Sequence, residues 1–322
     1  MKKHYNILTH ICQRFVSASI RVHPRLITVS SLCLCVSVAI LVFAPACSRF
    51  HNAPTDSKDA RYVVISPIYN EIIWALGAQD KVVGIDLSTT YPPEVKKVQT
   101  VGYHRALSAE GILSLHPTAV IHDNNIGPPQ VVQQLQQLNI PMKTFTAKND
   151  SFDGTKALIR EMGAYFHKEA RAEELCNTLD AQRAASLEKV KQYTDHPRVA
   201  VIHFGRASNV YMVVGKGGGG DSGGVSQMIE LAGGQMAVEN KGMQRMESPE
   251  IVAQANPDVI LLTDFGYDRL GSLDQIKALP GVATSNAAKN NRIFRIEENV
   301  LNYFGPRSGE NIQKVAAVIH QK

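Results

Sequence analysis

Cysteine is scarce in this chain, and scarcest outside its first segment. Of five cysteines in 322 residues, Cys12, Cys33 and Cys35 fall within an N-terminal basic and apolar stretch. Only Cys47 and Cys176 lie beyond it, which excludes a disulfide framework and a zinc cluster built on thiolates. Surplus positive charge is missing too. Residues 1–46 hold Lys2, Lys3, Arg14, Arg21 and Arg25 and no acid. Five of the 34 basic residues lie there, which leaves 29 against 29 acidic ones, so composition implies no nucleic-acid surface. Enzyme motifs are also lacking. Gly215-Lys-Gly-Gly-Gly-Gly-Asp-Ser-Gly-Gly is glycine-rich, but no Gly-Lys-Ser/Thr opens a helix there, so it reads as a mobile loop. Neither Gly-x-Ser-x-Gly nor His-Glu-x-x-His occurs. Finally, residues 152–193 contain no proline, and Gly154 and Gly163 are their only glycines.

What is present begins with a leader. A basic segment precedes an apolar run from Ile27 to Phe43, which ends in Ala44-Pro45-Ala46. This is the layout of an export signal over residues 1–46. A permanent anchor is the competing reading, but the run is near the lower length limit for spanning and small residues follow at once. Cys47 stands where a lipidated N-terminus would, although Ala44-Pro45-Ala46 departs from a leucine-led lipobox. Residues 47–60 read as a tether.

The folded part alternates strands with helices. Strands are predicted at Tyr62–Ser66, Lys81–Asp86 and Ala119–His122. Helices are predicted at Pro67–Leu76, Ser108–Leu115 and Pro129–Leu138. This pattern predicts a parallel-sheet α/β lobe over residues 61–150. Over 152–193, Leu158, Met162, Phe166, Leu175, Leu179, Leu187 and Val190 recur near helical spacing. A single helix of that length would reach about 60 Å, enough to connect two lobes across 151–194. From residue 195 to 322 the first lobe's logic returns, with a strand at Arg198–His203 and a helix at Val225–Leu231. Ser108-Ala-Glu110 followed by Pro117-Thr-Ala-Val-Ile sets without gaps beside Ser248-Pro-Glu250 followed by Pro257-Asp-Val-Ile-Leu. The fold class expected is therefore α/β: two similar lobes with central parallel-type sheets, joined by one long α-helix, with a ligand cleft between them.

The most specific wording is Val101-Gly-Tyr-His-Arg-Ala-Leu-Ser-Ala-Glu-Gly-Ile-Leu-Ser-Leu-His-Pro117. Gly102 allows a tight turn, Tyr103 sits at its tip and Arg105 follows two residues later. Ordinary loop packing would also account for a tyrosine here. His104, His116 and His122 lie close in sequence and raise metal-ion binding as another reading, although their spacing matches no closed site.

That segment, with Asp86-Leu-Ser-Thr-Thr-Tyr-Pro-Pro, Ser248-Pro-Glu-Ile-Val-Ala-Gln-Ala-Asn-Pro-Asp-Val-Ile-Leu and Phe304-Gly-Pro-Arg, closely resembles the periplasmic haem-binding proteins of bacterial haem ABC importers. The likeness covers nearly everything after the leader. Its Gly-Tyr-x-Arg-x-Leu-Ser-Ala-Glu-Gly part is the specific one, since the rest also fits cobalamin and siderophore carriers. The resemblance implies a carrier and not an enzyme. It implies that Tyr103 ligates a ferric haem iron, a role phenolate oxygen suits, and that Arg105 stabilises that phenolate or a propionate. Arg269, in Asp264-Phe-Gly-Tyr-Asp-Arg, is the candidate arginine from the facing lobe. His203 is the candidate ligand for a second, stacked haem, with a structural histidine as the alternative. His104 is expected to point away from Tyr103, and Tyr91 to form cleft wall. Glu110 and Glu250 hold equivalent positions in the repeat, and the resemblance assigns them to docking on an ABC importer permease dimer. A siderophore or cobalamin carrier and a haem enzyme of the envelope stand as alternatives.

Overall fold

A computed structural model describes residues 59–206, 209–217 and 221–321. The expected export signal, Cys47 and nearly all of the expected tether lie outside the described residues. In chain order the first half holds β1 (Tyr62–Ile65), α1 (Pro67–Leu76), β2 (Val82–Ile85), β3 (Gln99–Thr100), α2 (Ala109–Leu113), β4 (Ala119–His122), α3 (Pro129–Gln137) and β5 (Met142–Lys143). Next come α4 (Phe152–Tyr165) and α5 (Glu169–Val190). The second half holds β6 (Arg198–Gly205), β7 (Val210–Val214), α6 (Asp221–Leu231), β8 (Gln235–Met236), β9 (Met243–Arg245), α7 (Glu250–Ala255) and β10 (Val259–Thr263). It closes with α8 (Asp264–Leu270), α9 (Leu273–Lys277), α10 (Asn286–Lys289), β11 (Ile293–Ile296), α11 (Glu298–Leu301) and α12 (Ser308–Ile319). Among the described residues no helix is long and apolar enough to cross a membrane.

Local signals set the boundaries that were legible. Ser66 caps α1 by accepting from the Tyr69 N–H, Pro67 occupies its first turn, and Gly77 ends it at φ 70°. The first sheet runs β3-β2-β1-β4-β5, with every pairing parallel. β1 and β4 are buried at every position, as strands covered on both faces must be.

The second sheet runs β11-β10-β6-β7-β9, with β8 also paired to β6. β10 lies parallel to β6 and β11, but β7 returns antiparallel to β6, and β9 is antiparallel to β7. The second sheet is therefore mixed, with β8, β6, β10 and β11 parallel and the β6–β7 and β7–β9 pairings antiparallel. The connection from Gly205 to Val210 is too short for a crossover, so a hairpin is the accessible geometry. The repeat is structural: α2 feeds β4, which pairs with β1 from Tyr62↔Ala119, and α7 feeds β10, which pairs with β6 from Val199↔Val259.

The expected single helix over 152–193 is instead two. His167 takes φ 54°, and the chain turns between α4 and α5. The helices pack closely enough that a Cβ on Gly163 would sit 2.5 Å from that of Ala172. Arg160 reaches Glu173 at 2.7 and 3.0 Å, and Lys156 reaches Asp180 at 3.0 Å. The hairpin buries Leu158, Met162, Leu175 and Leu179 in one core, much of which a straight rod would leave in water. The long helix of the fold is α5. Near its start Arg171 donates to the Ala75 carbonyl of α1 at 3.0 Å, and near its end Ser186 donates to the Gly309 carbonyl of α12 at 2.7 Å. The core is continuous from Val64 and Ile72 through Leu158 and Leu179 to Val201, Val225 and Ile312.

Candidate functional site

The C-terminal ends of parallel strands are where an open α/β sheet presents its loops to a ligand. Here the loops after β1, β2, β3 and β4 share one polar network. Asp86, fully buried after β2, accepts from Thr89 Oγ1 at 2.7 Å, from the Ser88 N–H at 3.1 Å and from the Ser88 hydroxyl. Asn70 of α1 donates to Thr89 at 2.9 Å. Ser88 meets His104 Nδ1 at 3.2 Å, and His104 Nε2 lies 3.3 Å from Asn125 Nδ2. Asn125 Oδ1 accepts from Arg105 Nε at 2.8 Å. A chain of contacts thus runs from α1 to the guanidinium beside Tyr103.

Gly102, at φ 104°, makes the turn before Tyr103 in a conformation that side chains resist. Leu87 N–H donates to Gly102 O at 2.8 Å, Ala106 N–H to Tyr103 O at 2.8 Å, and Gly127 N–H to His104 O at 2.8 Å. Tyr103 is half-buried and Arg105 exposed. His104, expected to point away, is indeed buried, yet its ring centre stands 4.2 Å from that of Tyr103. The two rings are therefore in contact, their planes tilted by 48°.

The facing edge belongs to the second sheet. His203 of β6 is half-buried, with Nδ1 3.9 Å from a Glu298 oxygen. Arg206 donates to Glu298 at 3.1 Å and lies over the Phe265 ring, 4.2 Å from its centre. Burial pushes the Glu298 carboxyl up despite the neighbouring Arg206; Asp264 pushes it further, and His104 of the other lobe pulls it down. Arg269 is exposed on α8, 4.6 Å over the Phe204 ring. The structure therefore gathers Tyr103 and Arg105 on one network and places His203 on a second. Arg269 lies over Phe204, whose ring centre is 5.8 Å from that of Phe265, the ring under Arg206.

Two contacts tie the edges together. Asn299 donates to Thr90 at 2.5 Å. Arg307 donates to Glu71 at 3.2 and 2.9 Å and stacks 3.3 Å over Tyr91. Burial opposes the Arg307 charge most strongly, but the hydrogen bond and charge of Glu71, with Tyr91 and Glu310, together hold the guanidinium above its ordinary value. Tyr91 is thus engaged by the opposite lobe. Glu71 with Arg307, and Arg206 with Glu298, escaped sequence reasoning because 236 and 92 residues separate the partners.

The remaining histidines are occupied apart. His116 is exposed at φ 48°, and its carbonyl accepts from Arg61. His122 is buried, which pushes its pKa down, and its Nδ1 accepts from the Asn124 N–H at 3.2 Å. Among the described residues no group of three or more His, Cys, Asp or Glu could hold a metal ion. The glycine-rich stretch is only partly a loop, because α6 begins at Asp221. Glu110 and Glu250 are both exposed in first turns, behind Ser108 and Ser248 respectively.

The family described as periplasmic binding protein matches residues 63–300. The periplasmic heme-binding protein RhuT from Roseiflexus sp. RS-1 is 34% identical with a TM-score of 0.72, and the match covers 81% of this chain and 98% of that one. The periplasmic heme-binding protein BhuT, solved with two hemes, is 27% identical with a TM-score of 0.69, over 80% and 97% of the two chains. An uncharacterized ABC transporter substrate-binding lipoprotein of Bacillus subtilis, YvrC, is 25% identical over 270 residues, 83% of this chain and 82% of its own.

Proposed function

The chain belongs to the periplasmic binding protein family, and from that premise we propose that it captures haem in the cleft between its two lobes and delivers it to an inner-membrane ABC importer. The family and the structures it resembles are binding proteins, and no catalytic step is assigned. The observation that carries the reading is the Tyr103 loop. It sets a half-buried phenol beside an arginine and anchors both on a buried polar network at the ligand-facing edge of a parallel sheet.

In this proposal Tyr103 ligates ferric iron as phenolate. A free tyrosine loses its proton near pH 10, so the iron's own charge and the Arg105 guanidinium must favour the anion. Residues 61–150 and 195–322 act as the two lobes, with Arg105 and Arg269 supplying positive charge to the propionates. His203 is the candidate second-haem ligand. The protein is exported, free or lipid-anchored through Cys47, and the exposed Glu110 and Glu250 meet the permease dimer.

Haemin titration of the purified protein tests the reading. The expected result is a high-spin ferric spectrum with a tyrosinate charge-transfer band, lost in Tyr103→Phe and kept in Tyr91→Phe. No spectral change in the wild type would point to a siderophore or cobalamin carrier. An unchanged spectrum in Tyr103→Phe would remove Tyr103 as the ligand.

A further inference from the structure

Asn125, which neither spacing nor resemblance singles out, is the side chain that holds the guanidinium of Arg105. It stands on the loop after β4, and that loop is shaped by its own side chains. His122 Nδ1 accepts from the Asn124 N–H at 3.2 Å, and Asp123 Oδ1 accepts from the Asn125 N–H at 3.0 Å. Two backbone bonds clasp it to the Tyr103 loop, from Gly127 N–H to His104 O at 2.8 Å and from Leu107 N–H to Gly127 O at 3.1 Å. The Asn125 amide thereby sits between Arg105 Nε, at 2.8 Å, and His104 Nε2, at 3.3 Å.

The donors in this chain can point only one way. A guanidinium has no acceptor, so the Asn125 amide must turn its oxygen to Arg105 and its NH2 group to His104. An NH2 group donates, so His104 Nε2 must offer a lone pair, and the ring proton lies on Nδ1. Nδ1 faces Ser88 Oγ at 3.2 Å and Asp86 Oδ2 at 3.5 Å, both of which accept. The Ser88 hydroxyl is itself turned to Asp86, which closes the chain on a fully buried carboxylate. Asp86 and, from the second lobe, Glu298 would suit a second proton on the ring, but on Nε2 it would point at the Asn125 N–H and break the bond there.

We propose that His104 and Asn125 are positioning residues of the haem site: His104 in its Nδ1–H form fixes the Asn125 amide, and the amide fixes Arg105 by Nε, leaving both Nη groups to the bound anion. The proposal rests on the haem reading and deepens it. Arg105 is exposed, and among the described residues its Nη groups meet no acceptor. An exposed arginine otherwise samples many rotamers, and ordering it on binding costs affinity. Anchoring Nε beforehand removes part of that cost and keeps the charge beside the Tyr103 phenol.

Long-range proton–nitrogen NMR of the whole isotope-labelled chain, free of ligand, reports the imidazole nitrogens directly. His104 should show the Nδ1–H form with Nε2 unprotonated, and should lose that single form in Asn125→Leu. A proton on Nε2, alone or together with one on Nδ1, would overturn the proposal. Haemin titration then reads the consequence for Arg105. Asn125→Leu should weaken haemin about threefold to tenfold, the cost of ordering one long side chain, and keep the tyrosinate band of Tyr103. His104→Phe, which keeps a ring against Tyr103 but no nitrogens, should weaken it as much, and the two changes together should be no worse than either. In an Arg105→Leu background, Asn125→Leu should have no further effect. Additive losses in that cycle, or wild-type affinity in His104→Phe, would overturn the positioning role. A wild-type protein that gives no haemin spectrum would overturn the haem reading and the use made here of Arg105, while the His104 form seen by NMR would stand or fall separately.

Discussion

At the scale of single residues, Asp86 is the acceptor on which the polar network behind the Tyr103 loop converges. It is fully buried and accepts from Ser88 and Thr89, which in turn hold His104 and Asn70. Removing such an acceptor strands buried donors, at about 1–3 kcal/mol for each group left unpaired. Asp86→Ala should therefore lower stability by about 3 kcal/mol in denaturant melts, and it should weaken haemin binding although Asp86 contacts no ligand. A variant that melts like the wild type and binds like it would show that the network does not position the Tyr103 loop.

Among elements, the helical hairpin gives two predictions. The Glu161 carboxylate of α4 accepts from the backbone N–H groups of Thr146 and Ala147 at 2.9 Å. Burial pushes the Glu161 pKa up, but these N–H groups outweigh it and hold it below the ordinary carboxylate range. A depressed folded value means stability that is present at neutral pH and lost as pH falls through that value. Glu161→Gln should thus lower the Tm at pH 7, with the difference shrinking below about pH 4, where the unfolded carboxyl protonates first and the folded one follows at its lower value. A constant gap from pH 7 to pH 3 would assign the loss to shape and not charge. The second concerns α12, which approaches α5 through Gly309. A Cβ there would meet Arg183 N and Gln182 Cβ at 2.7 Å and Leu179 O at 2.8 Å. Gly309→Ala should push the helices apart and cost about 1–3 kcal/mol, as overpacking does. An unfolding midpoint within error of wild type would mean that the helices yield freely.

For the whole molecule, the Glu71–Arg307 pair fixes how the two sheet edges face each other. Its side chains are 6% and 13% exposed, and Arg307 also covers Tyr91. Breaking one partner of a buried pair leaves an uncompensated charge, at about 3–5 kcal/mol, whereas neutralising both partners costs much less. Arg307→Met should lower stability by that amount, and Glu71→Gln with Arg307→Met should recover most of it. The double variant should also show a broader distribution of lobe-to-lobe distances in solution scattering or pulsed dipolar spectroscopy. The same distance broadening in both variants with no recovery of stability would assign the pair a purely packing role. On the outer surface, Glu110→Ala with Glu250→Ala should leave haemin affinity and Tm nearly unchanged and abolish import through the cognate transporter. Lysine at both positions should be worse, because it adds repulsion. Wild-type transport in vesicles would reduce both glutamates to helix-end charges worth under about 1 kcal/mol.

The elements with local causes were legible without any structure. Ser66-Pro67 with Gly77 bounds α1 in sequence as in space, and Pro117 and Pro257 mark where the two repeated units enter their strands. Gly102-Tyr103 announces its own turn, since only glycine adopts φ 104° without strain. What the sequence left open depends on partners far apart in the chain. The stripe from Leu158 to Val190 satisfies one straight helix or a folded pair equally well, and only the shared core with Leu179, Val201 and Ile312 selects the pair. The hairpin of β7 on β6 lacked a strong alternating signal, because its first three residues are only half-buried. His203, Arg206, Glu298 and Arg307 acquire their roles from charges brought close by the tertiary fold, and Coulomb attraction at 3–4 Å leaves no periodicity in a sequence to read.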